Sequence, residues 1–228
     1  MLAAPPDAVF FDLDGTLADT APDLASATNR LLVEEGREPL PLAKLRPHVS
    51  HGATGMLRAA FSIEPGTDAH AHYSRRFLTH YEQALCVSTQ LFDGMEKVLQ
   101  SLEAHGIKWG IVTNKRQRYT LPLMAALQLD TRASCIISGD SAPRPKPAPD
   151  TLLLACAQAG VAPSSSVYVG DDLRDIQAAR AAGMPAIAAA YGYLGETVPV
   201  EQWGADAIIA NPLQLLQTLA LGVIDSSS

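Results

Sequence analysis

The chain has 228 residues, of which 47% are hydrophobic and 18% are charged, and its formal net charge is −7. This composition is typical of globular proteins and excludes the disordered class. Basic residues cluster only in the short segment 114–118, so we expect no nucleic-acid surface. No apolar run reaches the about 18 residues of a membrane span. Three widely spaced cysteines without a Cys-x-x-Cys pair, and no basic region before an apolar stretch, predict a cytoplasmic protein.

Short apolar runs are the candidate strands, and they alternate with helical periodicity over the second half of the chain. The runs are 8–12, 107–112, 134–138, 166–170, 185–189 and 206–209. Strand and helix in alternation predict an α/β fold with a doubly wound parallel sheet. The runs are nearly continuous in apolar residues, as expected where helices cover both faces of a sheet.

A long segment separates the first strand from a helix expected at about 93–105. It shows only helical pattern broken by Gly and Pro, we expect no strand in it, and its length of roughly 70 residues is too great for a loop. We therefore predict a small helical domain inserted at 17–91, between core segments 1–16 and 92–228. The terminal DSSS segment, 225–228, is expected to fray.

Polar residues follow four of the predicted strands at their carboxyl ends, where open parallel sheets bind ligands. They are Asp12, Asp14 and Thr16 after the first strand, Thr113 and Asn114 after the second, Lys146 after the third, and Asp171, Asp172 and Asp175 after the fourth. These residues become neighbours only if the chain forms the predicted parallel sheet. Their convergence at one edge is the main evidence for function.

Phosphoryl transfer is the chemistry that needs such a set. The carboxylate of Asp12 can attack phosphorus to form an aspartyl-phosphate. Carboxylates of Asp12 and Asp171 can bind Mg²⁺, which prefers oxygen ligands. The Thr113 hydroxyl and the Lys146 ammonium can meet the charge on the phosphoryl oxygens, and Asp14 can act as general acid and base.

The DLDGT stretch at 12–16 suggests a geometry for this chemistry. If the backbone stays extended, the side chains of Asp12 and Asp14 point to the same face and reach opposite sides of one phosphoryl group. Gly15 is expected to allow a sharp turn and leave room for substrate, and Thr16 to form a hydrogen bond within the turn.

With these motifs in order, the sequence resembles the haloacid dehalogenase superfamily of phosphohydrolases. The matching stretches are DLDGT (12–16), VTN (112–114), KP (146–147) and GDDLRD (170–175). The resemblance implies a Rossmann-like core and a helical cap, with Asp12 as nucleophile and Asp14 as general acid/base. It implies that Thr113 and Lys146 bind phosphate. It also implies a Mg²⁺ site made by the Asp12 side chain, the Asp14 backbone carbonyl and Asp171.

Two branches of the superfamily remain open. The stretch LADTAPDLASA from position 17 is similar to phosphoglycolate phosphatases, which predicts 2-phosphoglycolate as substrate. The stretches GIKWGIVTNK, GDDLRDI, YGYL and WGAD instead resemble N-acetylmuramic acid 6-phosphate phosphatases. Relatives often have Pro after the TNK of the second motif, whereas this chain has Arg116, which adds positive charge near the substrate.

Further residues are expected to contact or support the substrate site. The candidates for substrate contact are Gly15, Thr16 and Asn114 in the core and the turn Ser50, His51 and Gly52 in the inserted segment, with Arg46 beside that turn. Backbone N–H groups of a Gly-containing turn can approach an anion. Asp172 and Asp175 are expected to support the metal site. Asp171 and Asp172 can also cap the helix that starts near 173, with Asp175 complementing the helix dipole in its first turn.

Three other functions fit part of the pattern: a sugar phosphomutase on the same fold, a metal-free dehalogenase, and a binding module without catalysis. The acidic trio at 171–175 and Asp14 argue against a dehalogenase. A binding module could lack some of the core motif residues, but this chain has all of them. The sequence therefore predicts a Mg²⁺-dependent phosphatase for a small phosphorylated metabolite, without nucleic-acid or membrane partners, as a monomer or homodimer.

Overall fold

The computed structural model describes residues 5–195 and 198–222 of the protein, so the DSSS segment lies outside the described residues. Within those ranges the chain forms eight strands and nine α-helices. The strands are β1 (Ala8–Phe11), β2 (Ala18–Asp19), β3 (Gln90–Leu91), β4 (Lys108–Val112), β5 (Ile136–Ile137), β6 (Ser166–Gly170), β7 (Ala186–Ala189) and β8 (Ala207–Ile209). The helices are α1 (Ala21–Glu34), α2 (Leu42–Leu45), α3 (Gly52–Phe61), α4 (Asp68–Gln83), α5 (Met95–Ala104), α6 (Gln117–Ala126), α7 (Asp150–Ala159), α8 (Leu173–Ala181) and α9 (Gln214–Thr218).

Six strands form one parallel sheet in the order β5-β4-β1-β6-β7-β8, which confirms the predicted doubly wound fold. All four side chains of β1 are fully buried. Val9 and Phe11 pack into one apolar cluster, while Ala8 and Phe10 pack into another on the opposite face. Successive side chains of a strand alternate between faces, so a continuous apolar run here means burial on both sides.

The strand order places β1 between β4 and β6, which follow it much later in the chain. The carboxyl ends of these three strands therefore meet at the point where the order reverses, the usual ligand site of such sheets. The polar residues that follow β1, β4 and β6 are brought together at this edge by topology alone.

Helices α1 to α4 form a separate layer with its own apolar cluster. Leu31 of α1, Met56 of α3 and Phe77 of α4 are fully buried there. The segment 46–51 between α2 and α3 is a 3₁₀ turn. This layer belongs to the part of the chain that the sequence predicts as an insertion, and the limits 17–91 stay a prediction.

A two-stranded ribbon joins the helical layer to the core, and it contradicts the expectation that no strand lies in this segment. Antiparallel β2 and β3 pair Ala18 with Leu91 and Asp19 with Gln90. Strands of two residues are too short to show an alternating pattern in the sequence. The ribbon sets the two connections of the layer side by side.

The buried carboxylate of Asp23 organises the return connection. It accepts hydrogen bonds from the backbone N–H groups of Val87, Ser88 and Thr89 and from the Thr89 hydroxyl, at 2.7–3.0 Å. Burying a charge is costly unless it is hydrogen-bonded, and this one receives several donors. The sequence offered no signal for this contact because Asp23 and the loop lie far apart in the chain.

None of the described helices is long and apolar enough to cross a membrane.

Candidate active site

The loop after β1 carries the first candidate residues and does not stay extended as predicted. The N–H of Leu17 donates to the Asp12 carbonyl at 3.2 Å, and the N–H of Ala18 donates to the Leu13 carbonyl at 2.9 Å. The backbone therefore curls directly after Asp12. The rule that residues two apart share a face of a strand does not apply here, so Asp12 and Asp14 lie in different surroundings.

Gly15 is required in this loop for two reasons. Its φ is 89°, a conformation that strains residues with a side chain. A Cβ at this position would also collide with the carboxylate of Asp171 and with the ring of Tyr193. The space beside Gly15 is thus occupied by the protein, whereas the sequence predicted room for substrate.

Lys146 is the centre of a buried polar network below the sheet edge. Its Nζ lies 3.1 Å from Asp12 Oδ1 and 2.7 Å from Asp175 Oδ1, and it donates to the Val112 carbonyl at 3.0 Å and to the Tyr168 hydroxyl at 2.7 Å. Burial alone would lower the pKa of Lys146, but Asp12 and Asp175 outweigh burial and raise that pKa. The ammonium is fixed as a charged group next to Asp12.

Asn114 and Thr113 hold the loops around this lysine. The Asn114 side chain donates to the Lys146 carbonyl and accepts from the Lys146 N–H, both at 2.9 Å. This geometry favours a positioning role for Asn114 over direct phosphate contact. Thr113 is 2% exposed, and its Oγ1 accepts from the Lys115 N–H at 3.1 Å. In this contact the Thr113 hydroxyl is the acceptor, so its own hydrogen can still be donated to a ligand.

Three carboxylates gather at the end of the sheet. Oxygens of Asp12, Asp171 and Asp175 lie within 4.8 Å of one another. The Thr16 hydroxyl donates to Asp171 Oδ1 at 2.8 Å, and the Tyr193 N–H donates to Asp171 Oδ2 at 2.8 Å. The prediction that Thr16 bonds within its own turn is wrong, because its partner comes from the loop after β6. Burial first, and then Asp12 and Asp175, raise the pKa of Asp171 well above its usual range.

This carboxylate cluster fits Mg²⁺, which favours oxygen ligands and charge compensation. Both oxygens of Asp175 already have partners: Oδ1 pairs with Lys146, and Oδ2 accepts from the Asp172 N–H at 3.0 Å. Asp172 caps α8 as expected and forms a capping box with Asp175, whereas Asp171, also expected as a cap, accepts from Thr16 and Tyr193 instead. Asp12 and Asp171 are thus the better candidates for direct ligands, with Asp175 behind them.

Asp14 has different neighbours from Asp12. Its Oδ1 accepts from the Thr20 hydroxyl at 2.6 Å and lies 2.9 Å from Lys115 Nζ. The same Nζ lies 4.7 Å from the centre of the Tyr81 ring. Burial lowers the pKa of Lys115, but Asp14 outweighs burial and the pKa is raised. Sequence reasoning did not select Lys115 as a site residue, although it directly follows the second motif.

A cavity of about 520 Å³ lies between the sheet edge and the helical layer. The catalytic candidates that line it are Asp12, Asp14, Thr113 and Lys146, with Asn114, Lys115, Arg116, Asp172, Arg174 and Asp175 around them. The turn Ser50, His51 and Gly52 of the inserted segment lines the same cavity, and its contact with substrate stays a prediction. Arg46 was expected beside that turn, but its guanidinium pairs with Asp19 at 3.0 and 2.7 Å.

Arg174 connects the two walls of the cavity. Its guanidinium donates to Asp172 Oδ1 and Oδ2 at 2.8 Å each and to the Ser50 carbonyl at 2.7 Å. Burial, and then the positive charge of Arg174, lower the pKa of His51. Arg174 stands inside the fourth motif, but its contact with Ser50 depends on a position 124 residues away.

Comparisons with known proteins agree with this geometry. The family model of haloacid dehalogenase-like hydrolases matches residues 9–189. A phosphoglycolate phosphatase from Xanthomonas campestris pv. campestris is 46% identical over 218 residues, which cover 94% of this chain and 97% of the relative. An N-acetylmuramic acid 6-phosphate phosphatase from Pseudomonas aeruginosa is 38% identical over 218 residues, covering 96% of each chain.

Solved structures show the same fold. The crystal structure of a predicted phosphoglycolate phosphatase from Haemophilus somnus superposes with a TM-score of 0.82 at 28% identity, covering 95% of this chain and 99% of that one. Motifs, site geometry and relatives point to one family, as the sequence motifs predicted. The chain belongs to the haloacid dehalogenase-like hydrolases, and its relatives place it among the phosphatases of that family.

Proposed function

We propose that the protein is a Mg²⁺-dependent phosphomonoesterase that works through an aspartyl-phosphate on Asp12. The observation that carries this proposal is the position of Asp12, which lines the cavity and lies 3.1 Å from a buried, charged Lys146. The neighbouring carboxylates Asp171 and Asp175 complete an anionic set that could hold a cation. A nucleophile, a fixed ammonium and a cation site thus share one wall of the cavity.

The side chains of Asp12 and Asp171 would hold the metal ion. When bound, Mg²⁺ supplies positive charge that brings the anionic nucleophile and the anionic phosphoryl group together. The Thr113 hydroxyl and the Lys146 ammonium donate to phosphoryl oxygens, on which charge is spread in the transition state. Asn114 keeps the Lys146 backbone in place through its two hydrogen bonds.

The reaction proceeds in two displacements. A carboxylate oxygen of Asp12 attacks phosphorus, the bond from phosphorus to the ester oxygen breaks, and Asp14 gives its proton to the departing oxygen. Asp14 then takes a proton from water, the water oxygen attacks phosphorus, and the bond to Asp12 breaks to release phosphate. Lys115, 2.9 Å from Asp14, stabilises the Asp14 carboxylate between these steps.

Two substrates follow from the relatives. Phosphoglycolate phosphatases are the more similar at 46% identity, which favours 2-phosphoglycolate. N-acetylmuramic acid 6-phosphate is the alternative, since phosphatases of that name are 38% identical over nearly the whole chain. In either case the helices of 17–91 act as a cap that excludes water from the phosphoenzyme and sorts leaving groups.

Phosphate release from these two esters and a few sugar phosphates, measured side by side as kcat/KM, tests the function. We expect turnover with Mg²⁺, none with EDTA, and none in Asp12→Asn, which keeps the side-chain volume and the fold. Asp130→Asn changes an exposed aspartate that is outside the four motifs and does not line the cavity; it is the matched control and stays active. Phosphate release that survives EDTA would contradict the dependence on Mg²⁺, and transfer of phosphate within a substrate would favour a phosphomutase. Near-normal activity of Asp12→Asn would overturn the mechanism.

A further inference from the structure

The loop after β7 lies between the carboxylate cluster and the start of the helical layer. It contains the YGYL stretch, residues 191–194, which takes no part in the proposed chemistry. Tyr193 of this stretch is 6% exposed. Its backbone N–H donates to Asp171 Oδ2 at 2.8 Å, whereas its side-chain hydroxyl bonds the backbone at the start of α1. One residue thus contacts both a proposed metal ligand and the helical layer.

The Tyr193 hydroxyl uses its full hydrogen-bonding capacity at the start of α1. It accepts from the N–H groups of Thr20 and Ala21, at 2.9 and 3.0 Å, and donates to Asp19 Oδ1 at 3.0 Å. The first N–H groups of a helix have no partner within the helix, and the Thr20 hydroxyl donates to Asp14 rather than capping α1. A hydroxyl from the core therefore caps the first helix of the helical layer.

The backbone of Tyr193 fixes the orientation of the Asp171 carboxylate. Oδ2 of Asp171 accepts from the Tyr193 N–H, and Oδ1 accepts from the Thr16 hydroxyl at 2.8 Å. A carboxylate oxygen has two lone pairs, so both oxygens can still bind a cation. Gly192 permits the close approach, because a Cβ there would collide with the Asp171 side chain and the Gly15 carbonyl. Loss of a hydrogen-bond partner behind a metal ligand weakens metal binding by about 10–100-fold.

Arg46 extends these contacts further into the helical layer. Its guanidinium lies 5.6 Å from the centre of the Tyr193 ring and 2.7 Å from Asp19 Oδ2. Asp19 in turn accepts from the Tyr193 hydroxyl. Arg46 begins the 3₁₀ turn 46–51, which leads to the cavity. A continuous chain of contacts therefore connects Asp171 with this turn through Tyr193.

We propose that Tyr193 is a positioning residue that couples cation binding at Asp171 to the docking of the helical layer on the core. The ring is buried and has little freedom to rotate, so a hydroxyl bonded to the start of α1 keeps the backbone N–H directed at Asp171. By thermodynamic linkage, a cation bound at Asp171 strengthens the hydroxyl contact by the same factor. This inference rests on the proposed Mg²⁺-dependent phosphatase and deepens it, because docking becomes a condition for tight metal binding.

Tyr193→Phe is the test variant, because it removes the hydroxyl and keeps the ring and the backbone N–H. The start of α1 keeps Asp19 Oδ1 as an acceptor at 3.3 Å, so we expect the variant to fold. Tyr73→Phe is the matched control, since its hydroxyl bonds Glu35 at an exposed position of the helical layer. Arg46→Gln is a second variant, which removes the ion pair with Asp19 and leaves Tyr193 unchanged.

Isothermal titration with MgCl₂, well below Tm, measures the Kd of each protein. We expect Kd to rise about fivefold in Tyr193→Phe, less than for loss of a direct partner of the ligand, and about threefold in Arg46→Gln. Tyr73→Phe should bind as the wild type does. The Mg²⁺ concentration that gives half-maximal hydrolysis of acetyl phosphate should rise with Kd.

Hydrogen exchange of segment 19–24, followed by mass spectrometry, gives the reciprocal measurement. Mg²⁺ should slow this exchange about fivefold in the wild type and in Tyr73→Phe, relative to exchange in α9 of the core. In Tyr193→Phe the hydroxyl that transmits the effect is absent, so Mg²⁺ should not slow exchange of 19–24 beyond that of α9.

Three results would overturn the coupling: an unchanged Kd in folded Tyr193→Phe, an equal rise of Kd in Tyr73→Phe, or exchange of 19–24 in the wild type that does not respond to Mg²⁺. The phosphatase function stands in each case if the wild type binds Mg²⁺ and hydrolyses acetyl phosphate. If Tyr193→Phe does not fold, an unchanged Kd in Arg46→Gln overturns the proposal. If the wild type neither binds Mg²⁺ nor hydrolyses acetyl phosphate, the proposed function fails and this inference fails with it.

Discussion

Asp12 and Asp14 are two residues apart and have different partners. Asp12 lies 3.1 Å from the buried Lys146, whereas Asp14 lies 2.9 Å from Lys115 and accepts from Thr20. Carboxyl groups with different surroundings can take different roles in one reaction, one as nucleophile and one as acid and base. This difference arises because the backbone curls after Asp12, and it supports the division of roles that we propose.

Asp14→Asn is expected to trap the phosphorylated enzyme. Acetyl phosphate has a good leaving group and can phosphorylate Asp12 without help from an acid, but the water that releases phosphate needs a base. Loss of a general base slows a step by about 10²–10⁴-fold. Intact-protein mass spectrometry after rapid quenching should show phosphorylated protein in this variant and little in the wild type. The double variant Asp12→Asn/Asp14→Asn should carry no phosphate. Equal phosphorylation of the double variant and of Asp14→Asn would contradict Asp12 as the nucleophile.

Arg116 is an exposed cation on the wall of the cavity. The other lysine and arginine side chains that line it, Lys115, Lys146 and Arg174, pair with carboxylates of the protein. Arg116→Ala should therefore raise KM about threefold for a substrate whose leaving group carries a carboxylate, such as 2-phosphoglycolate, with kcat unchanged. Steady-state kinetics with glucose 6-phosphate, which lacks a carboxylate, should show no change.

The neighbouring Arg118 provides the control for this prediction. It is exposed in the first turn of α6, two residues after Arg116. Its guanidinium lies 3.6 Å from the Glu82 carboxylate, and it does not line the cavity. Arg118→Ala removes the same charge from the same region, so a general effect of net charge would appear in both variants. Equal KM changes in the two would show that Arg116 does not contact substrate.

At the scale of elements, the parallel sheet was predictable and the irregular connections were not. The six apolar runs became strands within two residues of their expected bounds, because strands buried on both faces leave a strong local signal. The curled loop after β1 depends on Asp171 and Tyr193, which lie more than 150 residues away in the chain. The β2–β3 ribbon is too short to leave a pattern.

The same distinction holds for the site. Asp12 and Thr113 could be predicted because they lie at the ends of apolar runs, and Lys146 because it lies in the loop after the next run; the sheet brings these strand ends together. Lys115 and Tyr81 could not be predicted as site residues, because their importance depends on contacts between the core and the helical layer. Sequence order determines which strand ends meet, but not which helix faces them.

Glu103 of α5 links this helix to strand β4 of the sheet through hydrogen bonds. It accepts from the indole N–H of buried Trp109 at 3.0 Å and from Arg132 at 3.0 Å. Burial raises the pKa of Glu103, but hydrogen bonds from Arg132 and Trp109 outweigh burial and the pKa is lowered. A lowered folded-state pKa stabilises the protein above the ordinary pKa of 4.5, and this stability is lost as the pH falls through the folded value.

Glu103→Gln is therefore expected to lower Tm modestly at pH 7 and to approach the wild type once the pH falls below the lowered folded-state pKa of Glu103. The amide can still accept from Trp109, so the variant removes charge rather than the hydrogen bond. Tm measured by circular dichroism from pH 3 to pH 8 gives the comparison. Glu38→Gln, at an exposed glutamate in the loop after α1, is a control for the loss of one negative charge away from this network. A difference in Tm that persists unchanged at acid pH would contradict the electrostatic account.

At the scale of the whole molecule, the site joins charges that the fold alone does not balance. Asp12, Asp171 and Asp175 meet within 4.8 Å, and Lys146 is the ammonium that compensates Asp12 and Asp175. Strand ends, the loop after β1 and the start of α8 all converge on this cluster. A cation that binds it should therefore stabilise the entire core and not one loop.

Mg²⁺ is expected to raise the Tm of the wild type and not that of Asp171→Asn. A ligand at about 100 times its Kd stabilises the folded state by about 2.7 kcal/mol, which corresponds to about 5–10 °C for a chain of this size. Asp171→Asn removes a proposed ligand and one of the two oxygen acceptors that Thr16 and Tyr193 use, so Tm with and without metal is compared within each protein. The Tm of the variant should respond little to Mg²⁺. Differential scanning calorimetry with MgCl₂, and with NaCl at equal ionic strength, separates binding from screening. Equal shifts with both salts, or a full Mg²⁺ response in Asp171→Asn, would show that the carboxylate cluster does not bind the ion.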